Sequence, residues 1–118
     1  MIDQSELPAY MEKEIPELSI VLEGENCKNV YSTVRLLSDY TQSNIVNQNF
    51  KNVKKCLSVV EKLYKKGNKA VKSAIENVYI YSFSNMLFKD EAKKRILIGL
   101  IPISLYTLYV KQMLNSHI

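Results

Sequence analysis

Two helical patterns stand back to back in this chain, Asn47 to Lys66 and Asn68 to Phe88, joined only by a Gly67-Asn68 hinge. A connection that short makes two helices reverse and pack along each other, so a central helical hairpin constrains everything else. In its first arm, from about Asn49 to Lys66, the main stripe is Phe50, Val53, Leu57, Val60 and Tyr64. Cys56, Val59 and Leu63 widen the apolar arc to about half the circumference, which calls for neighbours on more than one side. Lys51, Lys54, Lys55, Lys62, Lys65 and Lys66 share the remaining arc. Gly67 suits the left-handed residue that closes a helix, and Asn68 suits the cap that opens the next.

The second arm begins one-sided, with Val71, Ala74, Ile75 and Val78 on a stripe. From Val78 to Phe88 it turns apolar on nearly every side, adding Tyr79, Ile80, Tyr81, Phe83, Met86 and Leu87. A helix of that kind belongs at the centre of a domain, so Val78, Ile80, Phe83 and Leu87 are expected to be buried on different sides. Tyr79 and Tyr81 point opposite ways, and one of them should reach a rim or a surface.

The flanking segments read as helices too. Ser5 can cap a helix running to about Ile15, with Pro8 in its first turn and Pro16 as its stop. Leu18 to Leu22, closed by Gly24, reads as a brief helix begun by Pro16, with a short strand as the open alternative. From Asn26, the residues Cys27, Val30, Val34, Leu37 and Thr41 share one helical face, with Lys28, Arg35 and Asp39 opposite. A Ser-, Asn- and Gln-rich loop is expected from Gln42 to Gln48. Asp90 should cap a helix from Glu91 to about Leu100, and Pro102 should start a last one to about Asn115. That last helix has only Ser104, Thr107 and Lys111 as its polar side. The fold class is all-α: five or six helices in one compact bundle around the hairpin, the second arm and the last helix innermost. A HEAT-like two-layer stack is the alternative.

Size and composition agree with a single domain over residues 1–118. Three Gly and three Pro are too few for the turns an all-β domain needs. Cys27 and Cys56 stand apart without a CxxC motif or nearby histidine, so both read as reduced, packed thiols of a cytoplasmic protein. The longest uncharged run, Ile96 to Val110, contains Gly99 and Pro102 and falls short of the roughly 20 residues a membrane span requires. A buried core segment is expected there, with no membrane partner.

Charge divides the chain unevenly. Residues 1–25 hold seven acids against Lys13, whereas residues 26–118 carry a net +10 within the overall +4. An acidic first segment packing on the basic helical body of residues 26–118 is one arrangement, and steering of a charged partner is another consequence.

Residues able to do chemistry are scarce. The one histidine, His117, is next to last, so neither a His-based triad nor a multi-His zinc site is expected. No phosphate-cradling glycine loop and no GxSxG elbow occurs, and Glu61 and Glu76 lack the ExxH partners of a di-iron bundle. The expectation is therefore a non-enzyme with no catalytic, cofactor or metal residues. Lys51, Lys54, Lys55 and Lys62 are the candidate partner-binding residues. An acidic protein is the leading partner, ahead of nucleic acid, because Arg35 and Arg95 are the only arginines and the aromatics of this helix lie on its buried stripe. A plain solvated helix face is the reading against which both must compete.

The run Leu63-Tyr64-Lys65-Lys66-Gly67-Asn68, followed by Val71, Ala74 and Ile75, resembles a hairpin of an uncharacterised family of small all-helical bacterial proteins. Leu100-Ile101-Pro102, entering a Tyr-containing last helix, is similar as well, so the resemblance covers about residues 26–115. It implies an immunity-protein-like or regulatory role through protein binding in a bacterial toxin system, and it assigns no functional residues. Inhibitors of nucleic-acid-cleaving toxins tend to be acidic. This chain is basic beyond residue 25, which makes a nuclease target the less expected one.

Overall fold

The computed structural model describes residues 1–22 and 29–116 and is all-α. Gly24, Cys27, Lys28 and His117 lie outside the described residues. In chain order the helices are α1 (Leu7–Glu14), a 3-10 turn (Pro16–Leu18), α2 (Ser19–Leu22), α3 (Val30–Val46), α4 (Phe50–Lys66) and α5 (Lys69–Ala74). A π-helical segment (Ile75–Ile80), α6 (Tyr81–Lys89), α7 (Glu91–Leu100) and α8 (Ile103–Ser116) complete the order. The radius of gyration is 13.6 Å. A compact domain of this length should measure about 13.5 Å, so the bundle form fits better than an extended stack.

Capping explains several boundaries. Asn29 opens α3 with a reciprocal box, its side chain accepting from Ser32 N while Ser32 Oγ accepts from Asn29 N. Asn49, Asn68 and Asp90 open α4, α5 and α7 in the same way, each accepting a backbone N–H three residues on. Ser5 does not cap α1. The Asp3 carboxylate instead accepts from Ser5 N, Ser5 Oγ and Glu6 N, which fixes the turn before a helix that starts at Leu7.

Two local expectations are corrected. The loop from Gln42 to Gln48 is mostly helix: α3 runs through Val46, because Thr41 and Asn44 bond back to the carbonyls of Leu37 and Tyr40 and Ile45 is buried. The chain then turns within Asn47–Asn49, with Gln48 at φ 58° as the left-handed residue. Gly67 is extended, at φ −73° and ψ 154°. It is glycine for want of space, since a Cβ there would lie 2.5 Å from Leu63 O and 2.6 Å from Val71 Cγ1. The first residues cross this hinge: Ile2 N donates to Lys66 O, and Asn68 N donates to Ile2 O, each at 2.7 Å.

The run after Gly67 is not hydrophobic all round in its surroundings. Ile80, Phe83 and Leu87 are buried, but Val78 is only half-buried, and Tyr81 and Phe88 are more than half exposed. The reason is the π-helical segment. Its i→i+5 bonding takes up an extra residue and rotates the helix beyond it, so Tyr79 and Ile80 occupy the inward place that a plain α-helix would give to Val78. α8 is corrected likewise. Leu105, Leu108 and Tyr109 enter the core, but Ile103 and Leu114 face outward, so this helix lies at the periphery.

The core joins every helical layer. Leu7, Met11, Ile15, Leu18 and Leu22 from the acidic first segment pack with Val34 and Leu37 of α3, Val53 to Leu63 of α4, and Val71 to Leu87. Among the described residues the buried side-chain polar atoms all have partners. The central polar contact joins Tyr79 OH and Thr41 Oγ1 at 2.8 Å.

Candidate functional site

α4 presents its chemistry on one side only. Val53, Leu57, Val60 and Leu63 are fully buried, and Lys51, Lys54, Lys55 and Lys62 are all exposed. The four predicted lysines therefore share one face, which Lys65 and Lys66 extend toward the hinge. Between them lies a shallow hollow lined also by Asn52, Ser58 and Val59 of α4 and by Glu14 of α1. Asn49 and Asn52 brace this end of the helix. Asn52 Nδ2 donates to Asn44 Oδ1 at 3.2 Å, and Asn44 is in turn anchored to Tyr40 O, so the start of α4 is tied to α3.

Acidic neighbours are few along this face. Lys62 Nζ lies 4.0 Å from Glu14 Oε2, and Lys65 Nζ lies 3.8 Å from Glu61 Oε2. Both pairs are exposed enough to contribute only tenths of a kcal/mol. Glu61 is also held by Ser104 Oγ at 2.9 Å, which ties α4 to α8. Lys51, Lys54 and Lys55 have no carboxylate within 4.0 Å among the described residues. They sit at i, i+3 and i+4, where like charges repel by about 0.2–0.5 kcal/mol per pair. Lys51 also occupies the first turn of α4, which holds no acid and where the positive end of the helix dipole disfavours a cation. Local electrostatics thus oppose this arrangement in the isolated chain, and an anion placed over the hollow would relieve it.

Four other groups among the described residues hold structural places. Cys56 is buried, and burial pushes its thiol up to about 11, far from a reactive thiolate. Burial likewise raises Tyr79 well above the ordinary phenol range. Tyr40 OH donates to Glu17 Oε2 at 2.8 Å and Tyr64 OH donates to Glu76 Oε1 at 2.9 Å, so both are rim tyrosines joining neighbouring elements. Among the described residues no group of three His, Cys, Asp or Glu side chains is placed to hold a metal ion. No helix among them is long and apolar enough to cross a membrane.

A second surface lies on helices that the sequence pattern places innermost in the bundle. Tyr81 and Phe88 flank a groove between α6 and α8, with Asn85 and Met113 beside them. Its signal was present in the sequence, in Tyr81, which points opposite to the buried Tyr79.

The family model described as a domain of unknown function, DUF7674, matches residues 8–115, nearly the whole described core. The chain belongs to that family. No curated protein and no solved structure matches it. Within this DUF7674 chain the matched region takes in α1 from Pro8 on, the whole lysine face and the groove between α6 and α8.

Proposed function

We propose that this DUF7674 chain is a non-catalytic protein-binding module of the bacterial cytoplasm, acting as an immunity or regulatory protein whose lysine face on α4 receives an acidic protein. One observation carries the reading: Lys51, Lys54 and Lys55 crowd one exposed turn with no acidic neighbour within 4.0 Å among the described residues. An acidic partner offsets that repulsion and gains rate from long-range attraction. The rigid support beneath, through Asn52, Asn44 and the buried stripe of α4, spares most of the ordering cost on binding.

Capture from a lysate of the native host tests this. The wild-type chain should retain a partner that a bait carrying Lys51→Glu, Lys54→Glu, Lys55→Glu and Lys62→Glu releases. Equal recovery by both baits would remove the lysine face from the account. The second reading, a nucleic-acid accessory protein, draws on the same basic face. It predicts affinity for any duplex or single strand that falls steeply with salt, which titration of labelled oligonucleotides would detect.

A further inference from the structure

α8 is apolar on two opposite faces. Leu105, Leu108 and Tyr109 are buried, and across the helix the exposed Ile103, Tyr106 and Leu114 recur at i, i+3 and i+11, with half-buried Val110 between them. That is the spacing by which one helix presents a ridge to another. Ile103 is 85% exposed, Leu114 63% and Tyr106 41%. Beside the ridge runs the groove between α6 and α8, flanked by Tyr81 and Phe88 at 58% and 55% exposure. Ridge and groove thus neighbour each other on one surface. Two-fold pairing needs that arrangement, because each copy then supplies what the other accepts.

Charge permits a second copy. The chain as a whole carries a net +4, so two copies repel on average. Lys111 is the only charged residue of Ile103–Ser116, so this face brings copies together with little repulsion. Area agrees. The exposed parts of Ile103, Tyr106, Leu114, Tyr81 and Phe88 offer roughly 600 Å² per copy, or about 1,200 Å² for a pair, the lower end of specific interfaces.

We infer that the outer ridge of α8 and the groove between α6 and α8 form a self-complementary surface through which two copies of this chain pair as a weak dimer. The inference is independent of the lysine face. Sedimentation velocity of the full chain, from about 1 to 300 μM, tests it. The expected result is a monomer passing to a dimer over that range, with a midpoint that moves little with salt. Ile103→Glu combined with Leu114→Glu should raise the dissociation constant at least tenfold while leaving helical circular dichroism unchanged, since both positions are exposed. Phe88→Glu should act alike from the groove, and it carries the test if the double variant fails to fold. Lys51→Glu should leave the dimer in place. A wild-type chain that stays monomeric throughout overturns the inference, as does a dimer indifferent to both the ridge and the groove variants. A monomer that co-floats with phosphatidylcholine–phosphatidylglycerol vesicles would assign the face to lipid and overturn it equally.

Discussion

α4 and the helical run from Lys69 to Lys89 begin on either side of Gly67, yet they distribute their residues differently. α4 is an amphipathic helix: its apolar half is buried, with Phe50 and Tyr64 half-buried at its ends, and its other half is lysine-rich and largely exposed. The run after Gly67 has apolar residues all round, and it solves the excess by inserting a π-helical turn and leaving Tyr81 and Phe88 outside. A one-sided helix fixes its own rotation, because only one orientation buries the stripe. A helix apolar on every side leaves rotation to its neighbours. Here Thr41, which bonds Tyr79, and Gln112, whose side-chain amide donates to Glu76 O in the π-helical segment, complete the choice.

The largest expected effect separates the buried side of the second run from its flank. Phe83→Ala should cost about 3–5 kcal/mol, whereas Val78→Ala, at a half-buried position, should cost less than half as much. Reversible urea melts measure both. Equal losses would restore the plain α-helical rotation and contradict the π-helical segment.

Gly67→Ala comes next, at the junction of the two regions. The new Cβ would meet Leu63 O and Val71, so a loss of about 1–3 kcal/mol is expected, with the bridge from Ile2 weakened. A gain in stability, the usual result where glycine merely adds freedom to the unfolded chain, would show that the hinge has room.

Cys56 probes the inner side of α4. Folding raises its thiol from 9.0 to about 11, so the native chain keeps a proton that the unfolded chain has released. Its contribution is complete below about pH 9 and declines as pH rises toward 11, by up to about 1.4 kcal/mol per unit. Cys56→Ala should make the stability profile shallower in that window. An unchanged slope would mean that the thiol is solvated.

A smaller effect sharpens the rotation argument. Deleting Asn77, which is exposed within the π-helical segment, removes the extra residue and lets a plain α-helix keep Ile80, Phe83 and Leu87 inward. The cost should be about 1 kcal/mol, mainly the lost contact between Gln112 and Glu76. Deleting exposed Asn85 instead turns Leu87 out of the core and should cost several times more. Thermal melts of the two deletions, if alike, would contradict this account of the segment.

Legibility in the sequence followed the same division. The stripe of α4, the caps at Asn68 and Asp90, and the last helix after Pro102 could all be read directly, because each depends on residues within a turn or two. The lysine face came from the same 3.6-residue period. The features that escaped depend on how segments pack against one another, not on the period of any one helix. The crowding that makes Gly67 necessary comes from Val71 folding back over the hinge, and the wide turn at Ile75–Ile80 depends on α3 and α8. The outer ridge of α8 was visible as composition, but a buried core segment accounted for the same residues equally well.

Association kinetics test the central claim, that the exposed face of α4 steers an acidic protein. With the captured partner in hand, its association rate with the wild-type chain should fall steeply as salt rises from about 20 to 300 mM, over which the Debye length shrinks severalfold. The variant carrying Lys51→Glu, Lys54→Glu, Lys55→Glu and Lys62→Glu should stay folded, each exposed change shifting stability by about 0.5 kcal/mol or less. Its association should be at least tenfold slower at low salt, with the salt dependence flattened or reversed. The same rate for both proteins at about 20 mM salt would contradict the claim and leave these lysines as ordinary solvated residues.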